Sequence, residues 1–214
     1  MQSEQRLDIL GGLTARQFLT EYWQKKPLLI RGAIVPSAPL VDANELAGLA
    51  CEEGVESRII RGGGSDNDWV LEHGPFDEAL FAELGDTNWT LLVQAVDHYF
   101  DEVARLKKCF RFIPDWRLDD VMISFAAPGG SVGPHVDAYD VFLLQGSGKR
   151  EWRLGQYCAP DAPLLPHPQL RILDSFVTEE QYVLEPGDML YVPPRLAHWG
   201  IARGECTTWS IGFR

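Results

Sequence analysis

Cysteine is scarce and scattered in this chain. Cys51, Cys109, Cys158 and Cys206 lie far apart and form no C-x-x-C pair. That spacing argues against a thiolate zinc site or a disulfide frame and fits reduced thiols in a cytosolic protein. No run approaches the roughly 18 apolar residues of a membrane span. The opening Met1-Gln2-Ser3-Glu4-Gln5-Arg6 has no apolar stretch, so no signal peptide is expected and the cytoplasm is the expected compartment. Positive charge is also short: 19 Lys and Arg against 31 Asp and Glu give a net charge of -12. A chain this acidic is a poor general binder of phosphate backbones, so no direct nucleic-acid partner is expected. The same charge suits a basic polypeptide partner, and equally plain solubility. Internal repeats and low-complexity tracts are missing too.

What is present is ordinary globular material, 45% hydrophobic and 23% charged over 214 residues, enough for one domain with a substantial core. Residues 1–114 mix helix and strand signals. Thr14 is a helix N-cap followed by Phe18, Leu19, Tyr22 and Trp23 at helical spacing, and Lys26-Pro27 ends that helix. Leu28 to Ile30 is a short strand, and Asp42 caps a second helix to Ala50. Ser57–Arg61 and Asp68–Glu72 flank a glycine-rich turn as a hairpin. Asp77 to Leu84 and Asp97 to Lys107 are expected to be helical.

Residues 115–214 change texture. Short strand-like runs at 121–126, 141–145, 151–154, 182–184, 189–192 and 207–213 alternate with Gly/Pro turns. That spacing predicts a β-sandwich or barrel. The expected fold is mainly β with flanking helices: residues 1–114 packed on a barrel core formed by 115–214.

Within that core, Gly133-Pro134-His135-Val136-Asp137 supplies a His-x-Asp pair, and Pro193-Pro194-Arg195-Leu196-Ala197-His198 supplies a distant His. With 5 His and 16 Asp, chance supplies some His-x-Asp about one time in three. Context is more specific. Residues i and i+2 of an extended segment point the same way, so His135 and Asp137 can reach one ion. The turn at Glu185-Pro186-Gly187-Asp188, a strand and two prolines deliver His198 to the start of the next strand. Two His and one Asp form the facial triad that holds Fe(II) with open positions, and a carboxylate third ligand suits Fe(II) over structural zinc. His73, His98 and His167 read as ordinary histidines.

Five further positions follow from strand parity. Arg150 shares its face with Trp152 and Leu154, so it points inward, where an isolated charge is costly and a bidentate carboxylate is its best partner. A dicarboxylic co-substrate such as 2-oxoglutarate supplies one; an internal acid or escape to solvent is the alternative. Asp120, Met122, Ser124 and Ala126 share the face of an earlier strand. Ser124 can donate to the same carboxylate, and Asp120 at the strand's mouth can bind a cationic substrate group or be a plain surface acid. Thr208 and Ser210 are polar residues on an inward face of the last strand, unless backbone neighbours satisfy them.

The segments Pro114 to Phe125 and Pro128 to Phe142, the Glu185-Pro186-Gly187-Asp188 turn, Pro193-Pro194 with His198, and the ending Trp209 to Arg214 resemble JmjC-type 2-oxoglutarate oxygenases. They look most like the bacterial ribosomal oxygenases of the YcfD/RoxA type. The likeness extends upstream through Phe76 and Thr87 to Val96 and covers nearly the whole chain. It implies a double-stranded β-helix of the cupin or jelly-roll kind. It implies Fe(II) on His135, Asp137 and His198, and 2-oxoglutarate on Arg150 and Ser124. It implies 3-hydroxylation of one arginine in the sixteenth large-subunit ribosomal protein, with Asp120 and Ser210 as guanidinium contacts. Such proteins usually continue into a helical dimerisation segment and a winged-helix-like region. This sequence ends at Arg214, so a homodimer is expected only of a longer form. Two other classes stay open: a cupin-type metalloprotein without oxygenase activity, and an acidic binding module for a basic polypeptide.

Overall fold

The structure is a computed structural model, and it describes residues 5–34, 41–62 and 68–214. Among these residues are four short α-helices, α1 (Ala15–Glu21), α2 (Ala43–Ala50), α3 (Glu78–Glu83) and α4 (Asp101–Leu106). Eleven strands follow the order β1 (Leu28–Ile30), β2 (Ser57–Arg61), β3 (Val70–His73), β4 (Trp89–Val93), β5 (Leu118–Ala126), β6 (Asp140–Ser147), β7 (Arg150–Tyr157), β8 (Glu180–Leu184), β9 (Met189–Val192), β10 (Leu196–Ala202) and β11 (Cys206–Phe213). The helix starts are written locally. Thr14 and Gln17 close a capping box on α1, Asp42 and Glu45 close another on α2, and Asp77 accepts from Ala79 N at α3.

Two expectations shift. The helix expected from Asp97 begins only at Asp101. Asp97 lies instead in a separate 3-10 turn, Val96–His98, where its carboxylate accepts from Val121 N of β5 and pairs with Lys107 Nζ, both at 2.8 Å. β6 runs on to Ser147, beyond the 141–145 expected, so the hairpin turn falls at Gly148-Lys149. The glycine-rich turn between β2 and β3 lies mostly outside the described residues, although the two strands pair as expected.

The strands form two sheets. The larger runs β1-β9-β6-β11-β5-β4-β2-β3 and the smaller β10-β7-β8. The segment holding His135 bridges β10 at His198 and serves as a fourth strand of the smaller sheet. Four strands of the larger sheet (β9, β6, β11, β5) face these four, which is the double-stranded β-helix. Strands from the N-terminal third extend the larger sheet at both edges.

Side-chain alternation gives the larger sheet two apolar faces. Outward, Val121, Ile123, Phe142, Leu144, Tyr191, Trp209, Ile211 and Phe213 pack under α1 and α4. Phe18 is the centre of that layer, fully buried, with Phe142 and Tyr191 ring centroids at 5.5 and 5.0 Å. Inward, Val141, Leu143, Leu190 and Val192 meet Trp152, Leu154 and Leu184 of the smaller sheet. Asp188 of the Pro-Gly-Asp turn ties β1 to this frame, accepting from Gly32 N at 2.9 Å and Glu185 N at 3.0 Å as well as from Arg31. Burial alone pushes its carboxyl up, but those donors outweigh burial and hold it below the usual carboxylate range. The four cysteines are free thiols. Among the described residues no helix is long and apolar enough to cross a membrane.

Replacing Phe18 by Ala removes the ring on which the outer layer closes. The expected loss is about 3–5 kcal/mol, read as a lower urea midpoint with an unchanged slope.

Candidate active site

The inward faces of the two sheets do not close completely. They leave a cavity of about 450 Å³ lined by residues of β2, β3, β4, β5, β6, β7, β10 and β11 and of the loop around Gln169. His135, Asp137, His198, Arg150, Ser124, Asp120 and Ser210 all line it.

One group in it is the ligand cluster. Gly133 takes φ 81°, a left-handed conformation suited to glycine, and turns the chain into Pro134 and His135. His135 and His198 are then paired as antiparallel backbone neighbours, N to O at 3.0 Å in one direction and 2.9 Å in the other. Arg195 N donates to Asp137 O at 2.8 Å and continues the pairing. One donor atom from each of His135, Asp137 and His198 lies within 4.8 Å of the other two, with His198 Nε2 and Asp137 Oδ2 at 3.6 Å. Each imidazole is also oriented. His135 Nδ1 meets Gly133 O at 2.9 Å, and His198 Nδ1 meets Leu196 O at 3.0 Å. A carbonyl can only accept, so both Nδ1 atoms carry the hydrogen and both Nε2 lone pairs are free for an ion. Among the described residues this is the one cluster that fits a metal; two imidazoles and a carboxylate with open positions suit Fe(II).

Arg150 lies farther along the same floor and is 5% exposed. Its Nη1 donates to Ser124 Oγ at 3.3 Å and Thr208 Oγ1 at 3.2 Å, and its Nε has no partner. Burial pulls the guanidinium down from its ordinary pKa, and no carboxylate among the described residues offsets it. A buried cation whose contacts are two hydroxyls and the Trp152 ring, with its Nε–H unpaired, can take an anion that comes from outside the chain. Glu151 explains why no internal acid does this. It points out of the opposite face of β7, where it is fully buried under Arg153 and Arg203.

Nearer the mouth the cavity changes character. Asp120 Oδ2 accepts from Gln94 Nε2 and Ala95 N, both at 2.8 Å. Ser210 and Met122 stand opposite each other on the paired strands β11 and β5. Parity continued past Asp137 would have found Tyr139, whose phenol is pushed up to about 12 by burial and by the nearby Asp137. Gly212 also lines the site and shares the parity of Thr208 and Ser210, whereas Gln94 and Arg58 line it with no local signal. Thr208, noted only as an inward hydroxyl, sits directly on Arg150. Among the other histidines, His73 lies at the exposed rim beside Gln169. His98 is exposed, and His167 Nδ1 accepts from Gln169 N and Leu170 N.

His198 gives the site a pH signature. Burial first, then the neighbouring His135, pull it down from 6.5 to about 4. An unfolded chain therefore takes up this proton before the folded one does. The stability tied to neutral His198 is complete above pH 6.5 and is lost as pH falls toward about 4, roughly 3 kcal/mol in all. Metal-free protein should show this acid limb in urea titrations, and His198→Gln should flatten it.

Comparison with known proteins agrees with this geometry. The JmjC domain family matches residues 105–214. The ribosomal protein uL16 3-hydroxylase of Escherichia coli is 45% identical over 92% of this chain and 52% of its own length. A probable ribosomal oxygenase of Haemophilus influenzae is 40% identical over 94% of this chain and 50% of its own. The chain thus spans about half the length of these curated relatives. The structure of Escherichia coli YcfD superposes with a TM-score of 0.88 at 44% identity, covering 94% of this chain and 53% of that one. YcfD in complex with cobalt and 2-oxoglutarate superposes at 0.82 with 43% identity, over 93% and 51%. With the JmjC match spanning its C-terminal half and a YcfD-like fold throughout, the chain belongs to the JmjC domain family.

Proposed function

We propose that this chain is the catalytic part of an Fe(II)- and 2-oxoglutarate-dependent protein hydroxylase that 3-hydroxylates an arginine of a large-subunit ribosomal protein. The carrying observation is Arg150: a buried guanidinium hydrogen-bonded to the Ser124 and Thr208 hydroxyls, set over the Trp152 ring and left with its Nε–H unpaired, in the same cavity as a two-His, one-Asp cluster. A cupin that simply binds a metal has no use for such a cation. The names of the two relatives, and the cobalt and 2-oxoglutarate bound by YcfD, support the reaction class.

In this reading His135, Asp137 and His198 hold Fe(II) through two Nε2 atoms and a carboxylate. Arg150 grips the far carboxylate of 2-oxoglutarate, and the Ser124 and Thr208 hydroxyls align the guanidinium for it. Bound together, iron and 2-oxoglutarate supply the oxidation by O2 of an unactivated C–H bond, with loss of CO2 and formation of succinate. The walls from Val141, Leu143 and Trp152 keep water from that chemistry. At the mouth Asp120 and Ser210 accept hydrogen bonds from the substrate guanidinium while the Tyr139 ring lies beside it. The net charge of -12 supports capture of a basic ribosomal protein, and a cytoplasmic location goes with such a substrate.

The direct test is incubation with Fe(II), 2-oxoglutarate and the arginine-containing uL16 peptide. A gain of about 16 Da, one oxygen atom, is expected on the peptide; no gain with metal verified as bound overturns the proposal. Arg150→Met should cut turnover by at least about a hundredfold while leaving the melting temperature unchanged or higher, because an uncompensated buried charge is gone. Gly212→Ala should fold normally, since its methyl meets Tyr139 at 3.6 Å and Asp120 Oδ1 at 3.9 Å. It narrows the mouth and should raise the peptide KM without changing that of 2-oxoglutarate.

A further inference from the structure

Asp120 cannot present both of its oxygens to a substrate. Oδ2 is taken by Gln94 Nε2 and Ala95 N, each at 2.8 Å. Ala95 adopts φ 52°, a left-handed conformation that an L-residue holds only where its surroundings fix it. Here it aims the Ala95 N–H at Asp120. Gln94 is anchored in turn: its backbone N donates to Glu56 O at 2.9 Å, and it lines the cavity. With both donors on Oδ2, Oδ1 has no protein donor among the described residues. It faces the gap left by Gly212, 3.9 Å from where a Cβ would stand.

We infer that Gln94 is a positioning residue for substrate recognition: its amide locks the Asp120 carboxylate so that Oδ1 is turned to the guanidinium of an arginine-containing peptide. The inference rests on the reading of Asp120 given under the proposed function. A carboxylate torsion is intrinsically broad. With only the Ala95 N–H left, the group can swing, and a charge-assisted hydrogen bond to a planar cation loses its alignment. The competing role is structural. In it Asp120 only satisfies the Ala95 turn, as Asp97 satisfies Val121 N on the same strand as Asp120; that role affects melting and leaves peptide recognition alone.

The experiment compares wild type, Gln94→Met, Asp120→Asn and the double variant. It reads KM and kcat for the uL16 arginine peptide and the peptide Kd on manganese-loaded protein. Gln94→Met keeps length and removes the donor. Expected are a rise of about tenfold in KM and Kd, the size of one hydrogen bond to a charged group, kcat within about twofold and an unchanged 2-oxoglutarate KM. The double variant should bind no worse than Asp120→Asn, because the two act as one unit. The Gln94→Met penalty should vanish for a peptide with citrulline in place of arginine. Normal peptide binding by Gln94→Met beside weakened binding by Asp120→Asn overturns the inference alone, as do additive penalties. Normal binding by Asp120→Asn removes the Asp120 reading and this inference together. If Gln94→Met does not fold, Gln94→Asn, which pulls the amide back by one methylene, gives the same comparison.

Discussion

Everything chemical in this molecule depends on two backbone hydrogen bonds. The reciprocal N–H to C=O pairing of His135 with His198 joins the segment after Gly133 to β10, residues more than sixty positions apart in the chain. Once that pair is fixed, Asp137 needs only the strand repeat of two to reach the same point, and the Nδ1 atoms are set by carbonyls two residues back in their own chains. Metal affinity is therefore assembled from backbone geometry. The side chains contribute donor type and little else.

The second constraint is electrostatic. The smaller sheet buries one acid and one arginine on opposite faces of the same strand. Glu151 is satisfied internally by Arg153 and Arg203, and its carboxyl stays below the usual range because those hydrogen bonds outweigh the upward push of burial. Arg150 is left with hydroxyls. This difference across the thickness of one strand separates an acid neutralised within the fold from a cation that no carboxylate among the described residues answers.

The features legible in the sequence were those set by short-range rules. Capping boxes at Thr14 and Asp42, the Pro-Gly-Asp turn, and the parity that turns Arg150, Ser124, Thr208 and Ser210 inward all operate within a few residues. Parity could not reveal that Glu151 is buried, because β7 is covered on both faces and alternation no longer separates inside from outside. It was silent on Asp97, whose carboxylate answers to a strand more than twenty residues away and which lies in a separate 3-10 turn. Gln94 and Arg58 were invisible for the same reason: their place in the cavity comes from the edge strands that lengthen the larger sheet, and no local pattern encodes which edge a strand joins.

The two-faced larger sheet has an evolutionary consequence. Along β11 the even positions Thr208, Ser210 and Gly212 line the cavity, while Trp209, Ile211 and Phe213 lie in the aromatic layer. β5 divides the same way, and β6 does so with its numbers reversed. Drift at one set of positions can change what is bound without loosening the scaffold, and drift at the other can alter thermal tolerance without touching selectivity. A single strand thus carries two nearly independent heritable traits, separated by whether a residue number is odd or even.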